Sequence, residues 1–202
     1  DPLIRVISDS LDAVVGELAS GIQMGPLGFE IVQKYPLRVL REAITNAVIH
    51  RDYRLQTDIH IRLFSDRIEV ESPGLFIGPV TTANVGRIGT HARNPLLVGN
   101  LREFPAPPNL DAGEGVRMMI GTMKATGLFP PLYFTRPHTE RESVTVILLN
   151  ENRPSAWEQV SDYVDKHGFI GNKEVRRILG TEDTLRASRL LKEWVERGLL
   201  EV

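Results

Sequence analysis

Three polar side chains suited to phosphate and metal chemistry recur at intervals of four residues in the first half of the chain. They are Glu42, Asn46 and His50, and they lie within residues 37–50, a segment that predicts a helix. At about 100° per residue, positions four apart share one face of an α-helix. A Glu carboxylate can act as a general base, and an Asn side-chain oxygen suits Mg²⁺. These three residues fit either a binding site or an ordinary solvated polar face of the helix.

The opposite face of the same helix predicts packing against a core. Ala43 and Ala47 lie between the two faces, and their small side chains would let another group approach the helix closely. The predicted apolar arc is formed by Leu37, Leu40, Ile44 and Val48.

A second pattern, Gly113-Glu114-Gly115, precedes a predicted helix in residues 116–125. Backbone N–H groups at a helix N-terminus can bind phosphate, and the helix dipole favours the negative charge. Taken alone, the pattern also fits a tight turn before a helix. A carboxylate at Glu114 would repel phosphate if it faced inward, so we expect this side chain to face outward.

The elements that must position these residues predict a mixed α/β region. Residues 75–112 form a long Gly- and Pro-rich connection of weak periodicity, which in a compact domain is usually functional or mobile. The polar sequence of residues 150–154 predicts a boundary between domains 1–152 and 153–202. The predicted elements of the first domain are helices in 1–24, 37–50 and 116–125, and strands in 29–35, 58–64, 67–71, 132–134 and 143–149.

The rest of the chain predicts three helices, in residues 156–167, 172–179 and 184–197. Residues 154–202 contain 8 Lys and Arg against 9 Asp and Glu, a net charge of −1, so this unit is not basic. On the third helix, the expected core residues are Leu185, Leu190, Leu191 and Trp194. The expected outward residues are Arg186, Ser188, Arg189 and Lys192.

Composition excludes several classes of protein. The 202 residues include no cysteine, so disulfides, Cys-ligated metal and thiol nucleophiles are excluded. The net charge of −2 argues against indiscriminate DNA coating. No apolar run approaches the ~18 residues needed to cross a bilayer, and no secretory signal is evident, so we expect a cytoplasmic protein. Because the chain begins with Asp1 rather than Met, we expect either a fragment of a longer protein, which could have a further N-terminal domain, or a trimmed chain.

The sequence of residues 35–53, Tyr-Pro-Leu-Arg-Val-Leu-Arg-Glu-Ala-Ile-Thr-Asn-Ala-Val-Ile-His-Arg-Asp-Tyr, carries a family resemblance. It resembles the signature of the divergent histidine-kinase/gyrase/chaperone/MutL-like ATPase domain of RecG-related transcriptional regulators. Three further features of that family follow in the expected order, before a C-terminal winged helix. They are Ser72-Pro73-Gly74, a long lid containing Arg93-Asn94-Pro95, and Gly113-Glu114-Gly115.

The resemblance implies an α+β fold, a two-layer α/β sandwich of the Bergerat ATP-binding type followed by a small three-helix winged-helix domain. It implies that Glu42 orients or deprotonates the attacking water and that Asn46 binds Mg²⁺. The other implied contacts with ATP or ADP are His50, Ser72, Gly74, Arg93, Asn94, Gly113 and Gly115. For His50 a helix C-terminal cap is the alternative, and for Arg93 a solvated loop is the alternative.

One departure from the family pattern concerns adenine recognition. Active relatives carry an Asp-x-Gly triplet that holds the adenine amino group, whereas this chain has Ser72-Pro73-Gly74. Glu71 is one position away and should face the other side of the strand. Ser72, or a water molecule, could still accept a hydrogen bond.

Three functions remain in competition at the level of sequence. The first is a nucleotide-responsive transcriptional regulator whose C-terminal unit binds DNA through Arg186, Ser188, Arg189 and Lys192. The second is a nucleotide-independent scaffold or dimerisation protein with a degenerate ATPase fold. The third is an ATPase that works as a homodimer. Helicase activity is not expected, because the chain has no Gly-x-x-x-x-Gly-Lys-Ser/Thr phosphate loop.

Overall fold

The structure is a computed structural model that describes residues 2–20, 22–25, 28–31, 35–89, 91–104, 113–137, 141–152 and 154–201. It divides into two compact units, Asp1–Asn152 and Arg153–Val202. Parts of four predicted segments lie outside the described residues: Asp1 and Gly21 of the helix in 1–24, residues 32–34 of the strand in 29–35, Thr90 and 105–112 of the long connection, and Arg153 of the linker.

The first unit combines four helices with six strands among its described residues. Residues 96–101, to which the sequence assigned no element, form part of the third helix. The helices are α1 (Pro2–Ser20), α2 (Leu37–Ile49), α3 (Pro95–Arg102) and α4 (Gly115–Ala125). The strands are β1 (Ile22–Gly25), β2 (Gly28–Ile31), β3 (His60–Leu63), β4 (Arg67–Pro73), β5 (Leu132–Arg136) and β6 (Ser143–Leu149).

Strands β3 to β6 form an antiparallel sheet in the order β3-β4-β6-β5, while β1 and β2 pair separately as a hairpin. At the centre of the sheet, Arg67 to Pro73 pair with Leu149 to Ser143. Side chains alternate between the two faces of a strand. One face of this central pair is therefore apolar and enters the core, through the buried residues Ile68, Val70, Val146 and Leu148.

Helix α2 lies at the centre of the helical layer. Its buried arc is wider than the sequence predicts and includes Val39, Ala43 and Ala47. The prediction that Leu37 belongs to the core is wrong, since 52% of this residue is exposed. Leu37 is the first residue of α2, whereas the core forms along the turns that follow it.

The second unit contains α5 (Ala156–His167), α6 (Asn172–Leu179) and α7 (Thr184–Glu196). Ser155 forms a capping box with Glu158 at the start of α5, which satisfies N–H groups that the helix cannot bond itself. Glycines in the left-handed conformation end α5 and α6. The core of the unit is built on Val160, Val175, Ala187 and Trp194.

The prediction that Leu185 packs in this core is also wrong, because 69% of the residue is exposed. Ala187 is fully buried instead. Two residues along a helix correspond to a rotation of about 200°. Leu185 therefore lies on the opposite side of α7 from Ala187.

The described residues thus form an α+β fold, with helices packed on one face of a four-stranded antiparallel sheet in the first unit. This arrangement is compatible with an α/β ATPase-like fold. None of the helices in the described ranges is long and apolar enough to cross a membrane.

Candidate functional site

A cavity in the first unit lies between α2, the end of β4, the start of α4 and the segment that follows β4. We call that segment, residues 75–89 and 91–94, the lid. Most of the residues that the sequence proposed for nucleotide binding line this cavity. They are Glu42, Asn46, His50, Ser72, Gly74, Arg93, Gly113 and Gly115.

Glu42 and Asn46 are directly bonded within the cavity. The side-chain amide of Asn46 donates to Oε1 of Glu42 over 2.9 Å. This bond uses an N–H group and leaves the side-chain oxygen of Asn46, which is the atom that a Mg²⁺ ion would need. In the part of the chain that the structure describes, no group of three or more His, Asp or Glu residues could hold a metal ion. Mg²⁺ in proteins usually keeps several water ligands and binds substrate phosphates beside one or two protein oxygens.

The first turn of α4 approaches Glu42 so closely that a side chain at Gly115 would displace the carboxylate of Glu42. A Cβ atom on Gly115 would lie 1.7 Å from Oε1 of Glu42. Gly113 has a φ of +89°, a backbone conformation that favours glycine. Glu114 is exposed and is not part of the cavity wall. The Gly113–Gly115 turn therefore lies directly against the side chain of Glu42.

The cavity wall also contains apolar surface that suits a flat apolar group. Ser72 donates its hydroxyl hydrogen to the carbonyl oxygen of Ala47 over 2.7 Å, and its oxygen keeps lone pairs that can accept a hydrogen bond. Around it, the cavity is mostly apolar, with walls that include Val70, Phe76, Ile77, Met119 and Val146.

Glu71 does not replace the missing carboxylate at this position. Its side chain lies on the other face of the sheet, where Ser143 donates to it over 2.7 Å and Arg62 forms an ion pair at 2.7 Å. These partners hold the pKa of Glu71 below its usual value, although burial opposes them. The alternation along β4 predicts this placement.

His50 occupies the C-cap position of α2 and lines the cavity. Burial lowers its pKa from the usual value, and the positive charge of Arg93 lowers it further. A cation would be favoured at a helix C-terminus, but these two effects favour the neutral imidazole. The contribution of His50 to the cap comes from its backbone, whose N–H donates to the Asn46 carbonyl over 3.0 Å.

Arg93 is held by other protein groups at the edge of the cavity. Its Nη1 donates to Oδ2 of Asp52 over 3.0 Å, and its Nη2 donates to the carbonyl oxygen of Leu75. Asp52 also accepts two side-chain hydrogen bonds from Arg54. The bond from Arg54 is the largest cause of a lowered pKa of about 2 at Asp52, and the charge of Arg93 adds to it.

Asn94 lies beside Arg93 and contacts the end of α2 rather than the cavity. Its side-chain amide donates to the carbonyl oxygens of Ile49 and Arg51, each over 2.9 Å. The last carbonyls of a helix lack partners within the helix. Arg93 and Asn94 of the lid therefore both bind the C-terminal end of α2 or the residues just after it, Arg93 through Asp52 and Asn94 through two backbone carbonyls.

Sequence reasoning missed two aromatic residues and one cation in the cavity wall. Tyr133 on β5 and Phe76 in the lid pack with their ring centroids 6.3 Å apart. Burial raises the pKa of Tyr133, and the negative charge of Glu42 raises it further. Arg102, in the last turn of α3, also lines the cavity. The alternation of residues along β5 could have indicated Tyr133, whereas Arg102 belongs to no motif.

In the second unit, the residues proposed to contact DNA are all exposed on α7. Ser188 accepts a hydrogen bond from the side chain of Asn172 over 2.8 Å. Lys192 lies 3.7 Å from Glu196, one helical turn further along. The other two residues of the set are Arg186 and Arg189, which are also exposed.

Comparisons with known proteins agree with an ATPase-like domain. Residues 56–148 match the family model described as "Putative ATP-dependent DNA helicase recG C-terminal". This range includes Ser72, Arg93 and the Gly113–Gly115 turn but not α2. The match covers less than half of the chain and supports a divergent ATPase-like domain.

A solved structure shares the fold. The crystal structure of the DIP2311 protein from Corynebacterium diphtheriae aligns with a TM-score of 0.53 and 26% sequence identity. The alignment covers 79% of this chain and 36% of that one, so this chain spans well under half the length of the matched protein. No curated protein matches the sequence.

Proposed function

We propose that the first unit binds ATP or ADP with Mg²⁺, and that nucleotide binding controls DNA binding by the three-helix unit. The chain would then be a nucleotide-responsive transcriptional regulator. One observation carries this proposal: Glu42, Asn46, Ser72 and the Gly113–Gly115 turn come from separate parts of the sequence and line one cavity.

Each part of the cavity has a role in this proposal. The base would lie among the apolar residues, with Ser72 accepting a hydrogen bond from an amino group. The phosphates would meet the N–H groups at the start of α4, where the helix dipole favours negative charge. Asn46 would hold Mg²⁺, which when bound neutralises phosphate charge. Glu42 would orient a water molecule, since phosphoryl transfer depends on positioning and on charge neutralisation.

Calorimetric titration tests nucleotide binding directly. We expect heat with ATP–Mg²⁺ and with ADP. Absence of heat with ATP–Mg²⁺, ADP and GTP at millimolar concentration would reject the proposed site.

Hydrolysis is tested separately with Glu42→Gln, which keeps the size of the side chain. Loss of phosphate release with nucleotide binding retained would identify a true ATPase. Unchanged release would exclude Glu42 as the base.

The DNA-binding part of the proposal is supported by the exposed basic residues of α7. A helix of this kind can insert side chains into the major groove, where Arg pairs with guanine or phosphate. We expect the double variant Arg186→Ala/Arg189→Ala to lose retention on genomic DNA fragments. Lys166→Ala, in the last turn of α5, is the matched control. Equal retention by both variants would reject this role for α7.

A second function, a nucleotide-independent scaffold or dimerisation protein, is favoured by two observations. Ser72 stands where active relatives have a carboxylate, and Arg93 is already paired with Asp52. Nucleotide that co-purifies with the protein would reject this alternative.

A further inference from the structure

A nucleotide phosphate in the cavity requires a compensating positive charge. The sequence suggests Arg93, but its side chain is only 16% exposed and is bound to Asp52, whose side chain is 10% exposed. It also donates to the Leu75 carbonyl. Moving Arg93 to a phosphate would leave the buried carboxylate of Asp52 without one of its partners, which is costly.

Arg102 lines the same cavity as Gly113 and Gly115, the turn proposed to bind phosphate. It lies in the last turn of α3 and its side chain is exposed. Within the described ranges, Arg102 forms no ion pair, and the cavity wall contains no other arginine besides Arg93. An arginine keeps its charge at all physiological pH values.

Other basic groups of the cavity do not supply a comparable charge. These groups are the imidazoles of His50 and His91, and an imidazole, unlike a guanidinium, is a cation only when it is protonated. Among the described residues of the cavity wall, Arg102 is therefore the one fixed cation that is not committed to a carboxylate.

We infer that Arg102 binds the phosphate groups of the nucleotide. This inference rests on the proposed function, because it names a phosphate contact of the same site. The planar guanidinium can donate two parallel hydrogen bonds to a phosphate, and such charge-assisted bonds are among the strongest in proteins. A purely structural role is the competing explanation, since a cation also stabilises the C-terminus of α3 through the helix dipole.

The test compares affinities for ATP–Mg²⁺, ADP and adenosine in wild-type protein, Arg102→Ala, Arg102→Lys and Arg41→Ala. Arg41 is an exposed arginine of α2 outside the cavity wall and serves as the control. We expect Arg102→Ala to weaken binding of ATP and ADP by about ten- to hundredfold. Adenosine binding and the melting temperature should be unchanged, Arg102→Lys should recover part of the affinity, and Arg41→Ala should behave as wild type.

The outcomes separate this inference from the function on which it rests. Equal affinity of wild type and Arg102→Ala for ATP would overturn the inference while leaving nucleotide binding intact. An equal loss for ATP and adenosine would also overturn it and would assign Arg102 a structural role. If the wild-type protein binds none of the three ligands, the proposed function itself fails and the inference fails with it.

Discussion

Arg93 and Asp52 form an ion pair across 41 residues of sequence, with Nη1 of Arg93 3.0 Å from Oδ2 of Asp52. The backbone N–H of Asp52 also donates to the carbonyl of Pro73 over 2.8 Å. A Cβ atom on Gly74 would lie 2.7 Å from that of Asp52. The pair therefore fixes the point at which the end of α2, the end of β4 and the lid meet.

The first prediction is that this pair stabilises the first unit through a shared interaction. Asp52→Asn and Arg93→Gln should each lower the free energy of unfolding by about 1.5–3 kcal/mol, because each removes a hydrogen bond between charged groups. The double variant should lose less than the sum of the two single losses. Urea unfolding of the four proteins measures the coupling.

Arg54 provides the control for this comparison of the single and double variants. It bonds to the same carboxylate, but its side chain is 84% exposed, and exposed pairs contribute little. The Arg54 bond is the largest cause of the lowered pKa of Asp52, but solvent screens this exposed pair, so Arg54→Ala should cost less than Arg93→Gln. Strictly additive losses for Asp52→Asn and Arg93→Gln would contradict the shared interaction.

The second prediction concerns acid. The pKa of Asp52 is about 2 in the folded protein, against a usual value of 3.8. A lowered pKa means that the contribution of Asp52 is complete above the usual value and is lost as pH falls towards 2. Thermal melting between pH 7 and pH 2 should show the difference between wild type and Asp52→Asn shrinking below about pH 4. A difference that stays constant down to pH 2 would contradict the lowered pKa.

The third prediction concerns the cap that Asn94 provides to α2. Asn94→Ala removes both hydrogen bonds to the carbonyls of Ile49 and Arg51, which should cost about 1–3 kcal/mol of unfolding free energy. Asn100→Ala is a matched change at an exposed position of α3 and should have little effect. Equal melting temperatures for the two variants would show that the cap does not contribute.

The fourth prediction concerns the contact between α4 and Glu42. Gly115→Ala places a methyl group onto the carboxylate of Glu42, so Glu42 must move and we expect ADP affinity to fall. Gly121→Ala adds a methyl group to the same helix where no atom lies within 4 Å. That variant should bind ADP normally and gain about 0.5–1 kcal/mol from helix propensity. Calorimetric titration and thermal melting of both variants test the contact, and unchanged ADP binding by Gly115→Ala would contradict it.

The elements that depend on local sequence could be predicted. Spacing of four residues places Glu42, Asn46 and His50 along one face of α2, and the structure brings all three to the cavity. The helices of the second unit also follow from local signals, such as the serine and glutamate of the capping box at the start of α5.

The features that depend on packing between distant segments could not be predicted. Periodicity identifies the apolar arc of a helix, but it does not show which part of the arc another element covers. The sequence therefore predicts that Leu37 and Leu185 lie in the cores, although both residues are exposed. The partner of Arg93 lies 41 residues away, and no local pattern encodes that distance. Arg102 reaches the cavity because α3 ends there, and the sequence assigned no element to residues 96–101.

Two residues that are hydrogen-bonded to each other stand before and after a long segment of the sequence, which contains the lid, α3, α4 and β5. The backbone N–H of Gly74 donates to the carbonyl of Glu142 over 2.8 Å, immediately beyond the pair formed by Pro73 and Ser143. The chain therefore leaves the centre of the sheet and returns to it at one point. We expect insertions or deletions in the lid to leave the β4–β6 register unchanged, because the cost of closing a loop rises only slowly with its length. The excursion is thus a closed module that also supplies the edge strand β5, and we expect its lid to accommodate a new binding specificity while the β4–β6 pair stays the same.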